Sequence, residues 1–127
     1  MILKGNVISG IGTAKMWVKK IENVFQKKLE MKLFPGTLNI KLKEGYTVVP
    51  DIIIKPNEFG GTQNVLIQTC NIRDEKNQFV HKAFIVRAEK NANNMGDHNT
   101  DIVEIVSDIN FREKLNLKDN DIISIEI

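Results

Sequence analysis

The stretch Leu33-Phe34-Pro35-Gly36-Thr37-Leu38-Asn39-Ile40-Lys41-Leu42 decides how the chain is read. Pro35-Gly36 is a turn signal, and the residues after it alternate: Leu38, Ile40 and Leu42 on one side, Thr37, Asn39 and Lys41 on the other. That is a strand entering a core directly after a bend. Side chains two apart share a strand face, with Cα atoms roughly 6.5 Å apart, so Thr37 and Asn39 present a hydroxyl and an amide carbonyl side by side. Two neutral oxygen donors suit a Mg²⁺ ion that keeps several waters and takes its negative charge from a substrate phosphate. The plainer reading is a half-exposed strand with ordinary polar side chains outward, and these residues alone favour it.

Working outward, residues 2–9 form a short β-rich run that ends at Gly10-Ile11-Gly12-Thr13-Ala14-Lys15, where two glycines let the backbone turn tightly and expose its amides. From 17 to 29, Trp17, Ile21, Val24, Phe25 and Leu29 fall at helical spacing with Lys19, Lys20, Lys27 and Lys28 opposite, which predicts an amphipathic helix packed on a core. Beyond the opening strand, residues 46–55 are β-branched but interrupted by Pro50, an edge strand or a bulge. Residues 56–61 read as a loop, 63–72 as a strand, 74–77 as a hairpin turn and 78–88 as the next strand. The asparagine-rich stretch 89–100 is a long polar connection, of a length that in a compact domain is often functional or mobile. Residues 101–106 are β-rich, Asn110 and Glu113 have the spacing of a capping box that opens a short helix over 111–115, and 122–127 is a terminal strand. Many short strands with two short helices and no regular alternation predict a mainly β fold, a small closed or partly closed β-barrel.

A length of 127 residues suits one domain spanning 1–127. The net charge of +2 is too small to mark a nucleic-acid binder by itself. The single cysteine, Cys70, sits in a strand-like run and reads as a buried structural thiol. With only His81 and His98 available, no zinc-type cluster is expected. The first residues lack the apolar run of a signal peptide and no stretch is long enough to span a bilayer, so a cytoplasmic protein is expected.

Ser9-Gly10-Ile11-Gly12, then Phe34-Pro35-Gly36-Thr37-Leu38-Asn39, then Val103-Glu104-Ile105-Val106 followed by Phe111-Arg112-Glu113-Lys114-Leu115-Asn116-Leu117-Lys118-Asp119 together resemble the archaeal CTP-dependent riboflavin kinases. The resemblance runs nearly end to end and is weakest between 46 and 78. It implies a cradle-loop barrel that moves a phosphoryl group from CTP to riboflavin, giving FMN and CDP. By position, nucleotide would lie against Gly10, Ile11, Gly12, Thr13, Ala14 and Lys15 and against Ile109, Asn110, Phe111 and Arg112. Thr37 and Asn39 would hold Mg²⁺, and Asn91 and Glu104 would contact the flavin, with Glu104 also the carboxylate nominated as base. These roles are physically coherent. A glycine turn offers N–H groups to phosphate, Lys15 and Arg112 add positive charge, and phosphoryl transfer needs mainly positioning and charge neutralisation.

Each feature also has an ordinary reading. Gly10 and Gly12 make a common turn, Arg112 an exposed ion pair, Glu104 a solvent-facing strand residue, and Trp17 and Phe25 core. The chain departs from the family pattern at Ala14, where a third glycine is usual, at Asn91 for threonine, at Asp108 for proline and at Asn120 for glycine. Asn120 is acceptable in a left-handed turn, whereas Asp108 brings a negative charge close to the phosphate side. The turn and strand 115–123 also resemble the barrel element of swapped-hairpin transcription factors, so a DNA-binding regulator is the alternative from another class. A barrel that binds nucleotide or flavin without catalysis is a third. A monomer is expected, with no nucleic-acid or membrane partner.

Overall fold

The computed structural model describes residues 1–10, 14–76, 78–89 and 100–127, with side chains of 14–18 excluded. Its strands are β1 (Ile2–Ile8), β2 (Leu38–Leu42), β3 (Ile52–Ile54), β4 (Val65–Asp74), β5 (Phe79–Ala88), β6 (Ile102–Val106) and β7 (Ile122–Glu126). The described helices are α1 (Ala14–Leu29), α2 (Pro56–Phe59) and α3 (Phe111–Lys114). Every strand pairing is antiparallel, in the order β3-β4-β5-β6-β2-β1-β7, and a further β4–β7 pairing closes the ring. The expected small β-barrel is what forms.

Closure depends on the length of β4. Its one edge pairs with β5 along ten residues, while the other is shared: Val65, Leu66 and Ile67 meet β3, and Asn71, Ile72 and Arg73 meet β7. Alternate residues fill the barrel, with Val7, Leu38, Ile40, Leu42, Ile85, Val103, Ile105, Ile123 and Ile125 buried in one cluster. Phe111, at the root of α3, belongs to the same cluster. Outside the barrel, Ile21 and Phe25 of α1 are fully buried against Ile67, Phe84 and Val86, with the Phe25 and Phe84 rings edge to face at 5.7 Å. The helix therefore forms by the 3.6-residue periodicity of its apolar stripe, and Lys28 opposite it pairs with Glu58 at 3.0 Å. No helix among the described residues is long and apolar enough to cross a membrane.

Two readings need correction. Residues 56–59, taken as loop, form a helical turn because Pro56 occupies the first helical position, where a missing N–H costs nothing. Glu58 Oε2 also accepts from Lys55 N at 2.8 Å, so there are three helices among the described residues, not two. Of the β-branched run 46–55 only Ile52–Ile54 is strand, at the sheet edge. Upstream, Val49 N donates to the side chain of Gln68 (3.1 Å) in place of a ladder partner, and Pro50 has no N–H to offer.

The bend before β2 requires its glycine. Gly36 has φ +116°, while a Cβ there would meet only Phe34 Cε1 at 3.9 Å, so backbone conformation rather than space excludes other residues. Gly36→Ala is expected to lower unfolding free energy by about 1–3 kcal/mol, read as a lower urea midpoint at unchanged slope.

Candidate active site

The register of β2 builds the site. Ile8, Asn39, Glu104 and Val86 lie in one row across β1, β2, β6 and β5, and directly paired residues share a face. Val86 belongs to the cluster beneath α1, so this is the outer face of the barrel. Asn39 is nevertheless only 5% exposed and Glu104 9%. The expectation of a half-exposed polar face is therefore wrong at Asn39, and a solvent-facing Glu104 is excluded. The chain leaving β1 comes down over the row, and a Cβ at Gly10 would stand 2.5 Å from Asn39 Nδ2. Only glycine permits that approach.

Asn39 Nδ2 lies 3.5 Å from Thr37 Oγ1, the outer limit of a hydrogen bond, and Asn39 Oδ1 is buried with no hydrogen-bond partner among the described residues. A buried carbonyl left unpaired costs about 1–3 kcal/mol, so this atom is an acceptor prepared for a donor or a cation. With the Thr37 hydroxyl beside it and Gly10 leaving room above, the donor set fits a hard cation that prefers oxygen. Among the described residues, no three His, Cys, Asp or Glu side chains gather as a ready-made metal cage.

Thr37 also opens onto a cavity of about 200 Å³ lined by Gly36, Ser107, Ile109, Asn110, Phe111 and Arg112. Its two walls are joined by a hydrogen bond from Phe34 N to Ser107 O at 2.8 Å. The Thr37 end of the candidate metal pair and the 109–112 segment are thus brought to one place. Asn110 caps α3 as its spacing predicts, Oδ1 accepting from Glu113 N at 3.3 Å. Arg112 Nη2 donates to Asp119 Oδ1 at 2.6 Å and to Ile8 O at 3.1 Å, so it makes the ion pair of its ordinary reading while also lining the cavity. A larger groove of about 680 Å³, lined by Lys4, Arg73, Asp74, Lys76, Leu117 and Asp121 among others, contains none of the predicted site residues. Two of its cations are paired, Lys4 with Glu75 at 3.9 Å and Arg73 with Glu126 at 2.8 Å.

Electrostatics sharpen three positions. Asp108 Oδ1 lies 2.7 Å from His81 Nε2 and 3.2 Å from Ser107 Oγ. The His81 hydrogen bond is the main reason its carboxyl is held below the ordinary range. Asp108 is thus drawn to His81, whose ring stacks on Phe79 and meets Phe111 edge-on. Arg87 is buried and donates to Tyr46 O, to Thr100 O at 3.0 Å and to Ile102 O at 3.1 Å. Burial lowers its pKa, with the Glu104 carboxylate acting in the opposite sense. Burial raises the Cys70 thiol to about 12, as a structural cysteine requires.

Ile11, Gly12, Thr13 and Asn91 lie outside the described residues, as do His98, the 90–99 stretch and the side chains of Ala14, Lys15 and Trp17. Sequence reasoning missed Ser107, whose hydroxyl donates to Lys82 O at 2.7 Å, and Asp119, which accepts from Ser9 Oγ at 2.8 Å as well as from Arg112. Ser9 adjoins the glycine loop, but a separation of 110 positions from Asp119 leaves no local signal.

The fold and the sequence comparisons together define the class as a small-barrel phosphotransferase, a kinase. The chain belongs to the CTP-dependent riboflavin kinase family, described as a domain of unknown function, DUF120, which matches residues 7–127. A riboflavin kinase of Staphylothermus marinus is 34% identical over 98% of this chain and 90% of its own length. Riboflavin kinases of Pyrobaculum aerophilum and Thermococcus kodakarensis are 29% and 28% identical over 98% and 99% of this chain, which spans 60% and 58% of their lengths.

The Asp108 pair has a pH signature. Its folded pKa is depressed, so its stabilisation is complete above the ordinary carboxylate pKa of about 4 and is lost as pH falls through the lowered value. Asp108→Asn should be less stable than the parent by under about 1 kcal/mol near pH 6, given the exposure of the pair. That gap should persist down through the ordinary carboxylate range and close only once pH has fallen through the lowered folded pKa, in urea unfolding followed across pH.

Proposed function

We propose that the chain transfers the terminal phosphoryl group of CTP to riboflavin, giving FMN and CDP, with Mg²⁺ held by Thr37 and Asn39. The observation that carries this reading is Asn39 Oδ1, buried without a partner among the described residues, next to a Thr37 that lines the cavity formed with Ile109, Asn110, Phe111 and Arg112. The riboflavin kinases of similar sequence support the acceptor, and the family name supports the donor. When bound, the cation would neutralise charge on the CTP phosphates.

The chain's own groups supply the rest. Arg112 offers a permanent positive charge in the cavity wall. Gly10 lets its own backbone pass close over Asn39, beside the same ligand. Glu104, opposite Asn39 in register, is the group assigned to accept the proton from riboflavin's terminal hydroxyl. That oxygen bonds to the γ-phosphorus as the bond from phosphorus to the bridging oxygen breaks, and CDP leaves.

Purified protein given riboflavin, Mg²⁺ and each nucleoside triphosphate in turn should form FMN, with CTP preferred, as measured by chromatography with fluorescence detection. Thr37→Ala and Asn39→Ala should each lower kcat/KM by about 100-fold or more and weaken CDP binding in the presence of Mg²⁺ only. No FMN with any nucleotide defeats the proposal, and tight CDP binding without turnover would mark a non-catalytic barrel.

A further inference from the structure

Both carboxylate oxygens of Asp119 are committed to groups at the edge of the cavity. Oδ1 accepts from Arg112 Nη2 at 2.6 Å and Oδ2 from Ser9 Oγ at 2.8 Å. The same Arg112 nitrogen donates to Ile8 O at 3.1 Å. Ile8 and Ser9 are the last residues before Gly10, so one carboxylate joins the cation of α3 to the chain that leads into the glycine loop.

The turn that carries Asp119 is itself fastened to β1. Asn120 N donates to Val7 O at 2.7 Å, Val7 N to Asp121 O at 2.8 Å, and Asn6 Nδ2 to Asn120 O at 3.1 Å. Asn120 takes the left-handed conformation, φ 76°, that directs the chain back into β7. Asp119 thus projects from a braced turn. Two acceptors on one nitrogen hold that corner of the Arg112 guanidinium in place. Nε and Nη1 of Arg112 have no hydrogen-bond partner among the described residues and remain for a ligand.

We propose that Asp119 is a positioning residue for the nucleotide, holding the Arg112 guanidinium and the Ile8–Ser9 chain end in one arrangement so that Arg112 meets a phosphate-bearing ligand in a fixed place. This deepens the assignment of the cavity to CTP and CDP and rests on it. Arg112 and Asp119 are 36% and 49% exposed, and ion pairs in that setting add little to stability. The contribution is therefore to geometry, and that separates it from a purely structural role.

The test compares the parent with Asp119→Ala, Asp119→Asn and Ser9→Ala, using Glu126→Gln as a control that disturbs the Arg73 pair between β4 and β7. CDP affinity is measured by calorimetry, with KM for CTP and for riboflavin and the melting temperature alongside. Asp119→Ala should weaken CDP and raise KM for CTP on the order of tenfold. Asp119→Asn, which keeps an oxygen facing Arg112, should recover part of that, and Ser9→Ala should fall between it and the parent. Riboflavin KM and melting temperature should stay at parental values throughout, and Glu126→Gln should change no ligand constant. Parental CDP affinity in Asp119→Ala overturns the inference, as does an equal loss for CDP and riboflavin accompanied by a fall in melting temperature. A parent protein that fails to bind CDP removes the nucleotide assignment itself, and this inference with it.

Discussion

Strand β2 is hydrogen-bonded along both edges, to β1 and to β6, and the rest of the molecule depends on that double pairing holding one register. A slip of one residue would turn every side chain of the strand to the opposite face. Leu38, Ile40 and Leu42 would leave the barrel interior and Asn39 would enter it among Val7, Val103 and Ile105, with no partner there for its amide. Aliphatic packing inside the barrel therefore determines polar placement outside it. The row in which Asn39 stands between Ile8 and Glu104 follows from the core.

Around that strand the barrel closes because β4 is long enough to serve two neighbours on one edge. Closure leaves Phe111 buried with the interior cluster, and α3 hangs from it with Asn110 and Arg112 at the rim. The Phe34 N to Ser107 O hydrogen bond then brings the Pro35-Gly36 bend against the same rim. A four-residue helix has little stability of its own. Here it is held by a buried aromatic ring, a side-chain cap and the Asp119 turn, so the side chains it presents stand on a firm support.

Two buried amides show how structural and functional polarity differ. Gln68 Oε1 accepts from Tyr46 Oη at 2.8 Å and from Val49 N at 3.1 Å, which stitches an irregular segment onto β4. Asn39 Oδ1, equally removed from water, accepts from nothing among the described residues. Folded proteins satisfy nearly all such atoms, and an exception calls for a specific explanation. The first amide replaces a missing ladder, and the second is the acceptor on which the proposed cation site rests.

Local patterns in the chain determined the strands of alternating period, the apolar stripe of α1, the Asn110 cap, the buried Cys70 and the left-handed Asn120, because each is encoded within a few residues of itself. The order of the stretches 9–12, 34–39, 103–106 and 111–119 also pointed to the family. Tertiary structure alone decided that Val49 N finds the Gln68 side chain rather than a ladder partner, that Asn39 is buried, and that Glu104 lies opposite it. It alone joined Ser9 to Asp119. The physical reason is that alternation specifies which residues share a face. What lies over that face is specified by chain distant in sequence, and here the crossing of Gly10 turns a polar strand surface into an enclosed site.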